Sequence, residues 1–145
     1  MSAKELFKEI AKLENQIKSK RYMAQSYREF ANGLQSPRYS DMPKNSNRAL
    51  QPMADALNKA MDLEEEVLQL ECTLQLQKAK AMDIINQIQN TELQIVLIKR
   101  YFEKSDWGKI MLSMHYSRSG IYKIHDRAIA EFDAILLKVD TSVHE

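Results

Sequence analysis

Apolar residues recur at alternating steps of three and four positions from Met53 to Ile88, and this run limits the fold more than any other feature. Residues at that spacing line one face of an α-helix, as in the heptads of coiled coils. No glycine or proline interrupts the run. It therefore predicts one helix from about Pro52, which a first helical turn tolerates, to about Asn90. The positions are Met53, Ala56, Ala60, Leu63, Val67, Leu70, Leu74, Gln77, Ala81, Ile84 and Ile88.

A second apolar flank widens this stripe. It consists of Leu57, Met61, Leu68 and Ile85. An apolar stripe of that width suits packing against more than one helix.

Residues 3–31 repeat the seam in a shorter form and predict a first long helix. Ser2 and Glu5 have the spacing of a capping box at its start. Residues 32–50, which contain Gly33, predict a long loop. The seam residues are Leu6, Ile10, Leu13, Ile17, Ala24, Tyr27 and Ala31, interrupted by Lys20.

Together these two helices predict an antiparallel coiled-coil hairpin over residues 1–90. At about 1.5 Å per residue, the first helix would be roughly 45 Å long and the second roughly 58 Å. Part of the second helix would therefore stay uncovered by the first. The sequence leaves two partners open for that part: the C-terminal region or another copy of the chain.

Charge is segregated along the chain, although the formal net charge is only +1. Residues 1–48 carry ten Lys and Arg against five Asp and Glu, and residues 49–98 carry three against eight. The two long helices should therefore attract each other, the basic first helix lying against the acidic second. Residues 99–127 carry seven basic residues against three acidic ones, without an obvious internal partner.

The last third of the chain has shorter apolar groups. They predict three helices at roughly 91–102, 106–114 and 118–137, followed by a polar, frayed tail at 138–145. A short helix, a tight turn and a longer helix with basic outer positions are typical of a helix-turn-helix. Residues 91–137 are therefore expected to form a separate module of that kind.

Polar residues at the breaks support this prediction. Ser105 or Asp106 can cap the second short helix, and Ser117 can cap the third. Trp107 and Ile121 lie on facing inner stripes, so both should be buried between the helices of the module.

The last helix of a helix-turn-helix enters the DNA major groove by its N-terminal end. If Ile121 and Ala128 face inward, the polar residues around them face outward. Arg118 can then form a bidentate pair with guanine, and Lys123 can neutralise a phosphate. Gly120 lacks a side chain where the helix would approach the DNA backbone. The candidate DNA-binding residues are Lys109, Arg118, Ser119, Gly120, Tyr122, Lys123 and Arg127.

Simpler structural explanations exist for each of these residues. Basic residues on the outside of a helix usually form only a solvated face. Gly120 can relieve crowding in a small core, and Tyr122 can lie over Trp107 instead of on DNA. His125 is expected on the solvated surface. The combination of caps, short turn and local charge is what favours DNA binding.

Composition narrows the possible fold classes, cellular settings and activities of the chain. Three glycines and three prolines in 145 residues favour an all-α chain. The single Cys72 cannot form an internal disulfide, which favours a reducing, cytoplasmic setting. No apolar run approaches the roughly 20 residues of a membrane span, and the N-terminus does not have the pattern of a signal peptide. The histidines are not at metal-ligand spacing with Cys72, and no nucleophile or phosphate-loop motif is present, so we expect no enzyme, metal or cofactor.

The stretch "KRYFEKSDWGKIMLSMHYSRSGIYKIHDRAI" resembles the promoter-reading C-terminal module of sigma factors. It is most similar to small phage and prophage regulators of Gram-positive bacteria, the autolysin-regulator-like and late-gene activator proteins. Three positions depart from their pattern: Met111, His115 and Gly120. At His115 the pattern has a turn glycine, so a positive φ is expected there. The residues that carry the resemblance are Arg100, Tyr101, Trp107, Ile110, Tyr116, Ser117, Ile121, Tyr122 and Ala128.

The resemblance implies a transcriptional regulator of phage or prophage origin, acting in the bacterial cytoplasm on double-stranded DNA. The hairpin would bind another copy, most simply as a dimer, or the host RNA polymerase. Two alternatives stay open. One is a small terminase-type packaging protein, which would form rings, and the other is a protein–protein adaptor whose helix-turn-helix does not bind DNA.

Overall fold

The computed structural model of the chain describes residues 1–34 and 46–143. Within these ranges, helices are joined by short connections and no strand occurs, which confirms the predicted all-α fold. The helices are α1 (Ala3–Leu34), α2 (Ser46–Gln87), α3 (Thr91–Leu97) with a π-helical continuation (Ile98–Phe102), α4 (Trp107–Met114) and α5 (Arg118–Val143).

Both long helices extend into the predicted loop at 32–50. Helix α1 ends at Leu34 and α2 begins at Ser46, and residues 35–45 lie outside the described residues. The predicted start of α2 near Pro52 is wrong, because Pro52 lies inside the helix. Proline keeps a helical φ but has no N–H, so it costs the second turn of α2 a hydrogen bond without ending the helix.

The frayed tail predicted at 138–145 is wrong over most of its length, since α5 continues to Val143. Leu136 is fully buried. One turn later, the Asp140 carboxylate accepts a hydrogen bond from Lys80 Nζ of α2 at 3.2 Å. This contact between distant parts of the chain stabilises the last turns of α5, for which the local sequence alone gives no helix signal.

Packing divides the chain into two compact units. The hairpin unit comprises Ala11–Gln75, and the terminal unit comprises Met1–Ile10 together with Leu76–Glu145. Both long helices contribute to both units, so these limits differ from the predicted regions, residues 1–90 and 91–137. The functional division into those two regions stays a prediction.

In the hairpin unit, α1 and α2 lie antiparallel, with basic side chains of α1 paired to acidic side chains of α2 as predicted. The pairs are Lys20–Glu66, Arg21–Glu71 and Arg28–Glu64. The partner of Arg28 precedes that of Arg21, as antiparallel helices require. Leu13 and Ile17 are buried. Because the ion pairs are partly exposed to solvent, the buried apolar stripe contributes more to stability than they do.

In the terminal unit, the C-terminal helices cover the last turns of α2, which the sequence left to either of two partners. The side-chain amide of Gln94 donates to the carbonyls of Ile85 and Ile88 at 3.1 and 2.8 Å and satisfies the end of α2. Asn90 then caps α3 by accepting from two backbone N–H groups. The fully buried large side chains of this unit are Leu6, Ile84, Ile85, Ile88, Leu93, Val96, Leu97, Ile110, Ile121, Phe132 and Leu136.

The first turns of α1 are part of this core. The predicted capping box is present, with Glu5 N–H donating to Ser2 Oγ at 3.2 Å and Ser2 N–H to Glu5 Oε2 at 3.3 Å. Asp133 of α5 accepts a further hydrogen bond from the backbone N–H of Ala3 at 2.6 Å. A carboxylate at a helix N-terminus also interacts favourably with the helix dipole.

Phe7 makes the central contact of this N-terminal segment. Its ring is stacked on Tyr101 at a centroid distance of 4.0 Å and tilted against Phe132 at 5.0 Å. The side chain is 5% exposed. The start of α1 thus supplies an aromatic ring to the core formed by the C-terminal helices.

Phe7→Ala should therefore lower the free energy of unfolding by about 3–5 kcal/mol, the usual cost of removing a large buried aromatic side chain. Chemical denaturation followed by circular dichroism measures this loss. Lys8→Ala, at an exposed position of the same turn, is the matched control and should change stability little. Equal stability of the two variants would show that the N-terminal segment is not part of the core.

Candidate nucleic-acid interface

Helices α4 and α5 are joined by a tight turn whose ends are both capped by side chains. Asp106 Oδ1 accepts from the Lys109 N–H at 2.9 Å at the start of α4, so Asp106, not Ser105, is the cap. Ser117 Oγ accepts from the Gly120 N–H at 3.2 Å at the start of α5. The connection between α4 and α5 is thus fixed at both ends by capping hydrogen bonds that the sequence indicates.

His115 ends α4 in the left-handed conformation, with φ 59° and ψ 44°. This confirms the positive φ expected at that position. A residue with a Cβ is disfavoured in this region by roughly 1–2 kcal/mol. The exposed side chain of His115 therefore contributes nothing to the turn that glycine would not provide.

The inner face of the module agrees with the predicted one. Ile121, Ala128 and Phe132 are fully buried, which confirms the prediction for Ile121. Trp107 is only half-buried. Its ring packs edge-on against the ring of Tyr122 at a centroid distance of 5.2 Å, which is the contact that the simpler explanation of Tyr122 requires.

Six of the seven candidate DNA-binding residues are exposed, namely Lys109, Arg118, Ser119, Tyr122, Lys123 and Arg127. Tyr122 is 38% exposed despite its contact with Trp107. Among the described residues, the four basic side chains have no ion-pair partner. All but Lys109 lie in the first three turns of α5, so the start of that helix presents a net positive charge, with Asp126 as its one acidic residue.

Packing within the chain explains why residue 120 is a glycine. A Cβ at this position would lie 3.1 Å from Ser117 Oγ and 3.3 Å from Tyr116 Cδ1. The cap of α5 and the Tyr116 ring therefore crowd the glycine, and its small size is explained without DNA. Tyr122 and Ser119 also have internal contacts, with Trp107 and Ser117, whereas no such contact explains the four basic candidates among the described residues.

Two polar aromatic contacts hold the module together and were not expected from the sequence. The Tyr116 hydroxyl donates a short hydrogen bond to the Glu92 carboxylate of α3, and this bond raises the pKa of Tyr116. Arg100 of the π-helical segment lies over the Trp107 ring, 4.7 Å from its centroid. It also donates to the Ser105 carbonyl at 3.2 Å, so Arg100 serves packing and is not a free cation.

His125 is the second unexpected feature, because it is not on the solvated surface as predicted. Its side chain is 12% exposed, and Nε2 lies 2.7 Å from the Tyr101 hydroxyl. The rim of its ring contacts Trp107 at a centroid distance of 5.0 Å. His125 lies four residues after Ile121 and three before Ala128, so helical spacing places it on the same buried side of α5.

Burial lowers the pKa of His125; nearby Asp126 raises it, and Lys4 and Arg100 lower it further. Burial also raises the pKa of Tyr101, against the opposing effect of Arg100. The phenol thus keeps its proton at neutral pH, and the imidazole beside it stays uncharged.

Comparison of the chain with models of protein families, with curated protein sequences and with solved structures finds no match. Two further observations concern the described residues alone. No helix among them is long and apolar enough to cross a membrane. They also contain no group of three or more His, Cys, Asp or Glu side chains placed to hold a metal ion.

Replacing His115 by glycine should raise the free energy of unfolding by about 0.5–1 kcal/mol. Relief of the left-handed strain outweighs the greater freedom of glycine in the unfolded chain. Thermal denaturation of the variant beside wild type measures the gain. A lower melting temperature would mean that the histidine ring makes a stabilising contact in the turn.

Stability should fall as the pH is lowered from 7.5 towards 5. The unfolded state binds a proton at His125 near the ordinary pKa of about 6.5, whereas the folded state binds it only at lower pH. The contribution of His125 is therefore complete above that pKa and is lost as pH falls through the folded value. In His125→Gln, which stays neutral, the decline over this window should be smaller. Parallel profiles of the two proteins would contradict this assignment.

Proposed function

We propose that this chain is a DNA-binding transcriptional regulator of phage or prophage origin that acts in the cytoplasm of the bacterial host. On this proposal, the start of α5 lies in the major groove of promoter DNA. The observation that supports it most is the group of exposed basic side chains at that helix start, which have no ion-pair partner among the described residues.

The contrast with the hairpin unit strengthens this argument. There, Lys20, Arg21 and Arg28 each face a glutamate of α2, so their charge is used within the chain. At the start of α5 the same kind of charge is left open to solvent. The partial positive charge of a helix N-terminus adds to it. Phosphate groups of a nucleic acid match both contributions.

The proposed roles of individual residues follow from their positions. Arg118 begins α5, where a side chain reaches the base edges first, and its guanidinium suits guanine. Lys123 and Arg127 lie one and two turns further along, where phosphates are the nearer partners. Tyr122, partly exposed beside Trp107, can donate its hydroxyl to a phosphate. The resemblance to sigma-like regulators supports the same assignment, and the hairpin would then bind another copy or the host RNA polymerase.

Selection of bound duplexes from a random pool at two salt concentrations tests the proposal. A regulator should enrich one sequence, and its binding should weaken steeply as salt rises. Salt-dependent binding without any preferred sequence would favour a packaging protein instead. Absence of binding at low salt would favour the adaptor.

Single substitutions test the assigned residues. Arg118→Ala should cost about 1–3 kcal/mol at one preferred base pair and relax specificity there. Lys123→Ala should weaken binding to all sequences alike and lower the dependence of log K on log salt by about one. Titration of labelled duplexes at several salt concentrations measures both quantities.

Lys138→Ala is the matched control, because Lys138 is also exposed on the same helix but about five and a half turns away from its start. It should leave affinity and salt dependence unchanged. If Arg118→Ala and Lys123→Ala behave like this control, the start of α5 is not a recognition surface.

A further inference from the structure

The first turn of α5, residues 118–120, has little packing of its own, although it is the part of the helix proposed to meet base edges. Arg118 and Ser119 are exposed, and Gly120 has no side chain. The first fully buried side chain of the helix is that of Ile121, its fourth residue. The position of the turn therefore depends on contacts made by its neighbours in the chain.

Tyr116, two residues before α5, packs against this turn. A Cβ at Gly120 would lie 3.3 Å from Cδ1 of the Tyr116 ring and 3.9 Å from its Cβ. The absence of a side chain at residue 120 thus lets the ring lie close to the backbone of the turn. The backbone N–H of Tyr116 donates to the Met111 carbonyl at 3.1 Å, so the same residue is also attached to the end of α4.

The hydroxyl of Tyr116 extends this contact to α3. It donates a short hydrogen bond to the carboxylate of Glu92, 24 residues earlier in the chain. Glu92 is itself held, because its backbone N–H donates to Asn90 Oδ1 at 2.9 Å and its neighbour Leu93 is fully buried. The Ser117 cap lies within the start of α5 and would move with it. The Tyr116–Glu92 bond instead connects that start to another element.

The bond lies beside a cation that the proposed function assigns to phosphate. Arg127 is seven residues after Gly120, so the two lie on the same side of α5. The hydrogen bond to Glu92 is the main cause that raises the pKa of Tyr116, and nearby Arg127 opposes this rise. A phenol with a raised pKa keeps its proton at neutral pH. The donor of the hydrogen bond is therefore present under the conditions of DNA binding.

We infer that Glu92 and Tyr116 are positioning residues, whose hydrogen bond holds the first turn of α5 where Arg118 can meet a base edge. They act through the backbone of the turn and need not touch DNA. Bidentate base contacts require exact placement of the side chain, whereas phosphate contacts carry no sequence information. Loss of the bond should therefore lower discrimination between sequences. This consequence rests on the proposed function, but the fixing of the turn does not.

Amide hydrogen exchange of the free, full-length chain tests the fixing of the turn. Tyr116→Phe removes the hydroxyl and keeps the ring. Exchange at the Ile121 N–H, which donates to the Ser117 carbonyl at 2.9 Å, should become faster. We expect about tenfold or more, because a hydrogen bond to a charged group stabilises by that factor. Amides in the middle of α3 should be unaffected. Tyr22→Phe, which removes an exposed hydroxyl from α1, is the matched control and should exchange like wild type.

Affinities for the duplex selected by wild type and for a scrambled duplex test the consequence for DNA. In Tyr116→Phe the ratio of the two affinities should fall about fivefold or more, since one well-placed base contact contributes at least that factor. The dependence of log K on log salt should stay the same, because no phosphate contact is removed. Tyr22→Phe should change neither quantity.

Variants of Glu92 separate positioning from charge. Glu92→Ala should lower the ratio as Tyr116→Phe does. Glu92→Gln, whose amide oxygen can accept the same hydrogen bond, should keep most of the ratio although it removes the charge. The double variant of Tyr116→Phe and Glu92→Ala should be no worse than either single one, because both remove one bond. A role in folding alone would alter affinity for both duplexes and leave their ratio unchanged.

Unchanged exchange at Ile121 in Tyr116→Phe would overturn the inference, whatever the chain does with DNA. A Glu92→Gln variant that loses as much discrimination as Glu92→Ala would also overturn it, as would additive effects in the double variant. Faster exchange in a chain that binds no duplex would give a different result: the bond holds the turn, and the proposed function is wrong together with the consequence for DNA.

Discussion

The stacking of Phe7 on Tyr101 is the contact on which the terminal unit depends. It brings the start of α1 to the π-helical segment and, through Phe132, to α5. Tyr101 in turn bonds His125, whose ring touches Trp107 at the start of α4. One aromatic cluster therefore joins four elements of the chain. The N-terminal turns of α1 complete the core of the C-terminal helices with Leu6 and Phe7.

The candidate interface is built on this cluster. Trp107 has Arg100 over one face and the rings of Tyr122 and His125 in edge contact with it. Tyr122 is thereby held beside the exposed start of α5, while the caps at Asp106 and Ser117 hold the turn. The surface proposed to read DNA thus consists of mobile basic side chains on a backbone fixed by aromatic packing. Such an arrangement suits recognition, because only the side chains need to adjust on binding.

Charge is used in two different ways in this protein. Cations of α1 pair with glutamates of α2, and these ion pairs accompany the antiparallel alignment of the two helices. Because the pairs are partly exposed, forming them removes little water from the charged groups. Helix α5 leaves its first cations open to solvent. The sequence shows where basic residues are in excess, but only the structure shows which of them have an acidic partner. Residues 1–48 and 99–127 have similar basic excesses, but only the first of these segments forms ion pairs with glutamates of α2.

Periodicity and capping chemistry by themselves determined the all-α fold, the antiparallel hairpin, the turn at His115 and the buried side of α5 at Ile121 and Ala128. These features depend on interactions within a few residues or on a long repeating stripe, which a linear pattern records. Tertiary structure alone decided the contact of Phe7 with Tyr101, the hydrogen bond between His125 and Tyr101, the extension of α5 through Asp140 and the internal reason for Gly120. Each of these depends on which distant side chain fills a particular space, and the spacing of residues along one helix contains no information about its neighbours.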